Sequence, residues 1–235
     1  MSPPVRRAGK IDDVKKCNLI EEPMRRVPLV PIFATLFAVT LPWPASAAES
    51  LRTVAPFIAV DAKGAFAMTV EAGKTQSVKI SGDDAFVAAL ETRVVDNELQ
   101  ITVNGKQPRN NKGDARVTIT LPALSRVKVE GAGETIITGV ASDRLDVGYR
   151  GAGRLIASGK VKYLRLNAKG VGEVDTRGLH AERVDVNFSG VGDVSVYATD
   201  TVNAVAKGMG SLTYYGKPKT INKSVSGIGN VSAGD

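Results

Sequence analysis

Apolar and polar residues alternate through most of the second half of the chain, and the alternation restarts at a nearly fixed interval. Six glycine-apolar-glycine triplets set its phase: Gly131-Ala132-Gly133, Gly151-Ala152-Gly153, Gly170-Val171-Gly172, Gly190-Val191-Gly192, Gly208-Met209-Gly210 and Gly227-Ile228-Gly229. The steps between their first glycines are 20, 19, 20, 18 and 19 residues. Counted from those glycines, position −6 reads Ser125, Leu145, Leu164, Val184, Val202, Ile221. Position −4 reads Val127, Val147, Leu166, Val186, Ala204, Lys223, and position −2 reads Val129, Tyr149, Ala168, Phe188, Ala206, Val225. The residues between are mostly polar, among them Asp146, Arg165, Asn167, Asp185, Asn187 and Asn203. This period-two pattern, rich in β-branched residues, predicts a half-buried strand before each triplet. A second apolar set at +4 and +6, including Leu155, Val174, Val194, Leu212 and Val196, predicts a second strand that leaves the corner with the same inward face.

A fixed period of this length marks a stacked repeat. The expected fold is all-β: a parallel β-solenoid, or β-helix, with coils of about 19 residues and Gly-x-Gly corners. Successive coils lie about 4.8 Å apart. A side chain at a sharp corner collides with the coil above, whereas glycine accepts positive φ and adds no Cβ. No asparagine ladder recurs, which speaks against leucine-rich repeats, and the Gly-Gly-x-Gly-x-Asp calcium repeat is absent. Lys223, in a column of apolar residues, and Ser125, at the other end, read as polar caps on an otherwise open core.

Residues 57–103 repeat the theme imperfectly. Ile58, Val60 and Ala62 lead into Gly64-Ala65-Phe66, followed by Met68 and Val70. Val78-Lys79-Ile80 and Leu99 to Val103 read as further strands, with Asp96-Asn97-Glu98 as a turn. Asp83 to Leu90 suits a short helix or turn. Asn104 to Asp114 is a polar loop whose Lys106, Arg109 and Lys112 suit either solvent or an anion.

These residues resemble the head GIN domain family, described as auto-transporter adhesins of bacterial envelopes. The resemblance spans about residues 54–235. It rests on Phe57-Ile58-Ala59-Val60, Val78-Lys79-Ile80, Leu99-Gln100-Ile101 and the Gly-x-Gly blocks ending in Tyr215-Gly216-Lys217-Pro218. It implies a secreted β-solenoid whose role is poorly defined, and it brings no catalytic residues.

Residues 1–47 read as a leader: an extension, 1–23, and a signal peptide, 24–47. Met24-Arg25-Arg26 is a basic start, Val27 to Leu41 a short apolar run, and Ala45-Ser46-Ala47 a cleavage signal. The expected mature product, 48–235, is one GIN-like domain, periplasmic or extracellular and without a further membrane span. The only cysteine, Cys17, lies in the extension, so no disulfide is expected. The formal charge of +7 is partly leader; residues 48–235 hold 24 basic and 20 acidic side chains, too balanced to suggest nucleic acid.

Chemistry is sparse. His180 is the only histidine, and there is no Gly-x-Ser-x-Gly elbow, His-Glu-x-x-His pair or P-loop. A non-enzymatic surface-binding or adhesion module of the cell envelope is therefore expected, with no cofactor and with an envelope glycan or protein as partner. Two alternatives stand: a carbohydrate-active enzyme using outward carboxylates, and a structural or self-assembling envelope protein. Glu173, Asp175 and Asp193 fall close on one outer face, as an oxygen-ligand cation site, a carboxylate pair for glycoside hydrolysis, or rungs of a charge ladder with Glu134 and Arg154. Tyr197 and Tyr215, one repeat apart, suit sugar stacking or simple cross-strand packing. Arg150, Lys169 and Lys207 at position −1 form a basic strip that suits an anionic polymer or open solvent. Asp185 faces outward on this reading, so its loss should cost little.

Overall fold

Alternation and glycine corners together dictate one long extended path. The computed structural model describes residues 48–104 and 115–235. The expected leader, 1–47, and the polar loop after Asn104 lie outside the described residues. Along the chain run β1 (Ala48–Arg52), β2 (Ala59–Ala65), β3 (Ala67–Ala72), β4 (Ser77–Gly82), α1 (Asp84–Ala89), β5 (Leu90–Val95), β6 (Glu98–Val103), β7 (Arg116–Leu121), β8 (Arg126–Tyr215) and β9 (Thr220–Ala233). Helix α1 is capped by Asp83, whose carboxylate accepts from the Phe86 N–H at 2.6 Å. Among the described residues no helix is long and apolar enough to cross a membrane.

The fold is not the parallel β-solenoid that the period predicts. The nine strands form one nearly closed, barrel-like sheet of mixed orientation, in the order β1-β4-β7-β3-β8-β2-β6-β5, with β9 added on β8. Pairs β1–β4, β4–β7 and β5–β6 are antiparallel. Part of the reason is local. Parallel neighbours need a crossover of a dozen or more residues. Asp96 and Asn97, with φ of 50° and 60°, make a two-residue hairpin turn that holds β5 and β6 antiparallel.

The glycine period governs the rest. Strand β8 pairs in parallel with β2, β3 and β9, and the β2 register sets Gly64 beside Gly131. Within β8 the corners lie on one another. Gly172 has φ of +141°, and a Cβ there would fall 1.9 Å from the Gly153 carbonyl oxygen. Each turn of β8 therefore forms a rung, with its corner glycines against those of the rung before. The −6, −4 and −2 columns are buried through the middle rungs, as are most of the +4 and +6 positions; Leu145, Leu164 and Val184 are fully enclosed. The pattern loosens at the first rung, where Ser125 and Val129 are partly exposed, and fails at the last. In β9, Ile221 and Val225 occupy the inward columns yet are 41% and 43% exposed. Lys223 between them donates from Nζ to the Val231 carbonyl at 3.3 Å, across the uncovered end of the core.

Candidate functional site

A groove opens on the outer face of β8, where columns −3 and −1 run side by side. Column −3 reads Lys128, Gly148, Asn167; column −1 reads Glu130, Arg150, Lys169. These six, with Val129 and Tyr149, enclose about 210 Å³. Gly148 makes the opening, because it has no side chain between those of Lys128 and Asn167. Its glycine is not a backbone necessity: a Cβ there would meet Lys128 Cγ at an ordinary 3.5 Å.

The groove is cationic. Lys128 is held by Glu98 at 3.5 Å and Asp61 at 4.0 Å, and Arg150 faces Glu130 at 3.6 Å. Lys169 is exposed and has no ion pair among the described residues. Three cations and one carboxylate thus line one recess, two of the cations projecting into solvent. Arg150 and Lys169, singled out by sequence, are brought together here. Lys128, Gly148 and Asn167 escaped that reading, although column −3 of the same repeat displays them.

Tyr149 lies under the groove on the inward side. Its hydroxyl is buried without a partner, and burial pushes the phenol pKa up. A cavity of about 10 Å³ beside it, lined also by Phe66, Thr135 and Gly133, is of a size for one water molecule.

The carboxylates expected to gather are each engaged elsewhere. Glu173 pairs with Arg154 at 3.2 Å. Asp193 accepts from the Ser211 backbone at 3.3 Å and from its hydroxyl. Asp175, at 9% exposure, is gripped by Arg177 through Nε at 3.0 Å and Nη2 at 2.6 Å. That charge-assisted bond holds the Asp175 carboxyl below its ordinary range against the opposing pull of burial. No group of three or more acidic, histidine or cysteine side chains suited to a metal forms among the described residues. Only Glu173 forms an ion pair across rungs; Asp175 pairs along its own strand and Asp193 with a serine.

The tyrosines stand on the same flank. Tyr197 stacks on His180, with centroids 4.3 Å apart and planes at 22°. Arg177 lies 5.7 Å over the Tyr215 ring. Each ring also leans over a glycine of the following rung, Tyr197 over Gly216 and Tyr215 over Gly234. Both are half-buried, and no ring contact joins them among the described residues. His180 is exposed and lies within β8.

Sequence reasoning missed a second aromatic cluster at position −7. The Tyr163 ring sits between Arg144 and Arg183, at 5.2 and 5.6 Å. Its hydroxyl donates to Asp185 at 2.5 Å, which raises the phenol pKa, and Asn203 Nδ2 donates to Asp185 at 2.6 Å. Burial pushes the Asp185 carboxyl up, but these donors and Arg183 outweigh it and hold the group below its usual value. Asp185 is thus a shared acceptor and not an idle surface charge. Asp185→Ala is expected to cost about 1–2 kcal/mol at neutral pH, by stripping two donors of their acceptor. A group with a depressed folded pKa stabilises above its unfolded value, about 3.9, and loses that effect as pH falls. The difference between variant and wild type should therefore shrink below about pH 4 in urea titrations. A pH-independent difference would remove the carboxylate from the explanation.

Residues 56–218 match the family described as "Putative auto-transporter adhesin, head GIN domain". The chain belongs to the head GIN domain family. The matched segment holds the groove, both aromatic clusters and all five corners within β8. Among solved structures, this GIN domain is similar to a "putative adhesin" from Bacteroides fragilis NCTC 9343, at 27% identity and a TM-score of 0.66, over 80% of this chain and 97% of that one. It also shares its fold with a "putative adhesin" from Parabacteroides merdae ATCC 43184, at 17% identity and a TM-score of 0.50, over 82% of this chain and 98% of that one. No curated protein matches the chain.

Proposed function

We propose that this head GIN domain is a non-enzymatic adhesion-type module of the bacterial envelope, and that its groove grips acidic groups of an anionic envelope polymer. On this reading the leader is cleaved after Ala47 and residues 48–235 act as one exported domain. The observation that carries the reading is the juxtaposition of Lys128, Arg150 and Lys169 around a recess of about 210 Å³. Carboxylate, sulfate or phosphate groups on a chain polymer meet spaced cations there. Asn167 adds a neutral donor and acceptor between them. No carboxylate pair stands free of basic or hydroxyl partners in the cluster that would serve hydrolysis, which favours binding over catalysis.

The test uses polygalacturonate and dextran sulfate as acidic probes, with dextran as the neutral control. Wild-type protein should bind both acidic polymers, more weakly as salt rises. Arg150→Ala combined with Lys169→Ala should weaken that binding about tenfold, equivalent to ~1.4 kcal/mol for two exposed contacts. Gly148→Gln, which fills the recess without removing charge, should weaken it as well. Equal binding of dextran, or unchanged affinity in the double variant, would sink the proposal.

A further inference from the structure

Strand β9 is hydrogen-bonded along one side only, to residues 201–214 of β8. Its other side meets no strand among the described residues. Natural sheets keep open edges short or guard them with charge. This one runs 14 residues and is exposed at nearly every position. Ile228 at its corner is 80% exposed, and Ile221 and Val225 lie in columns that are closed in the middle rungs by the next rung. Lys223 is the one guard, and it is bent inward to the Val231 carbonyl.

We infer that β9 pairs antiparallel with β9 of a second copy of this chain, about a two-fold axis through Ile228. Three observations select this occupant. A rung is complementary to another rung, since both bend at the same glycine corner. The opposite ends of the sheet path, β1 and β5, are 5 and 6 residues long and cannot cover a 14-residue strand. A second β9 pairs with it over residues 223–233, with 220–222 running past the partner strand, and the contact is isologous and closes at two.

The register follows from the corner and from side-chain parity. The two bends superpose only if the axis passes through Ile228. Inward residues must also face inward residues, because a one-residue slip would turn each strand inside out. Val225 then faces Val231 of the partner subunit, Lys223 faces Ala233 of the partner subunit, and the two Ile228 side chains meet on the axis. On the outer face Ser224 meets Ser232 of the partner subunit, and Ser226 meets Asn230 of the partner subunit. No like charges are opposed. Lys223 keeps its bond to Val231, since only a small alanine lies across from it.

This inference does not rest on the polymer-binding reading, and the groove is left open by it. The experiment uses the full chain with Cys17→Ser, which leaves no native cysteine. Sedimentation velocity should give twice the 24.7 kDa chain mass. Ile228→Cys in that background should form a reducible dimer under mild oxidation, because opposed residues in antiparallel pairs have Cα atoms about 4.5–5.5 Å apart, within disulfide range. Met209→Cys, exposed at the corner one rung further from the axis, should remain uncrosslinked. Val225→Lys with Ile228→Lys should halve the mass while leaving the circular dichroism spectrum unchanged. A monomer at ~100 µM, a concentration well above that needed for micromolar pairing, would overturn the inference. So would equal crosslinking of both cysteine variants, or growth beyond two copies.

Discussion

Val186→Asp should leave the protein unfolded or at the edge of unfolding. Val186 sits in the −4 column at 2% exposure, with Leu166 and Ala204 in the same column of the adjoining rungs. Losing a buried valine side chain costs about 1.5–3 kcal/mol. The carboxylate that replaces it has only apolar column neighbours in the adjoining rungs, Leu166 and Ala204, so it is neutralised at a further cost of roughly 1–3 kcal/mol as an unpaired polar group. The sum is a large part of the roughly 5–15 kcal/mol that ordinarily separates folded from unfolded chains. A urea titration followed by circular dichroism measures it. A loss below about 1 kcal/mol, the ordinary cost of a surface change, would mean that the −4 column does not face inward.

Gly172→Ala should be as damaging for a different reason. The added Cβ would lie 1.9 Å from the Gly153 carbonyl oxygen and 2.9 Å from its carbon, at φ of +141°. Backbone atoms cannot swing aside as a side-chain end does. The two rungs must separate at that corner, and the packing on either side of it weakens. Backbone strain of this kind costs about 1–3 kcal/mol before any steric displacement is added. Gly148→Ala is the internal control. Its Cβ meets only Lys128 Cγ at 3.5 Å, so it should be neutral or should stabilise by about 0.4–1 kcal/mol through a less flexible unfolded chain. Similar melting temperatures for the two variants would refute the distinction between corner and strand glycines.

The inward and outward phase of β8 was legible because a two-residue period and a 19-residue period reinforce each other. Each column repeats the same choice several times, so one exception such as Lys223 stands out. Orientation in the first half was not legible in the same way. Val78 to Ile80 and Leu99 to Val103 read as strands, but direction is a property of connections and pairing, which a single strand does not encode. The Asp96-Asn97 turn held part of that information, and weighing it as a hairpin would have argued for the antiparallel β5–β6 pair. At the surface, Arg150 and Lys169 were recognised by charge. Gly148 was not, because its contribution is a missing side chain. Asp185 was misjudged because a column reports which way a residue faces and not who faces it; Tyr163 and Asn203 reach it from neighbouring rungs. Asp175 was placed by parity on the outer face, yet the Arg177 two residues ahead supplied its partner.

The glycine corners also constrain how such a chain can change length. Steps of 18 to 20 residues show that a single residue gained or lost is absorbed between corners. A longer insertion must either bulge out as a loop or comprise a complete rung. Duplicating one complete rung puts every glycine back on a glycine and adds one strand spacing, about 4.8 Å, to the stacked part of β8. Lineages built on this plan can therefore grow in discrete increments, and each increment lengthens the outer columns along with the core. The reach of the charged surface is in that sense inherited from the count of corners, without any change to the residues that line the groove.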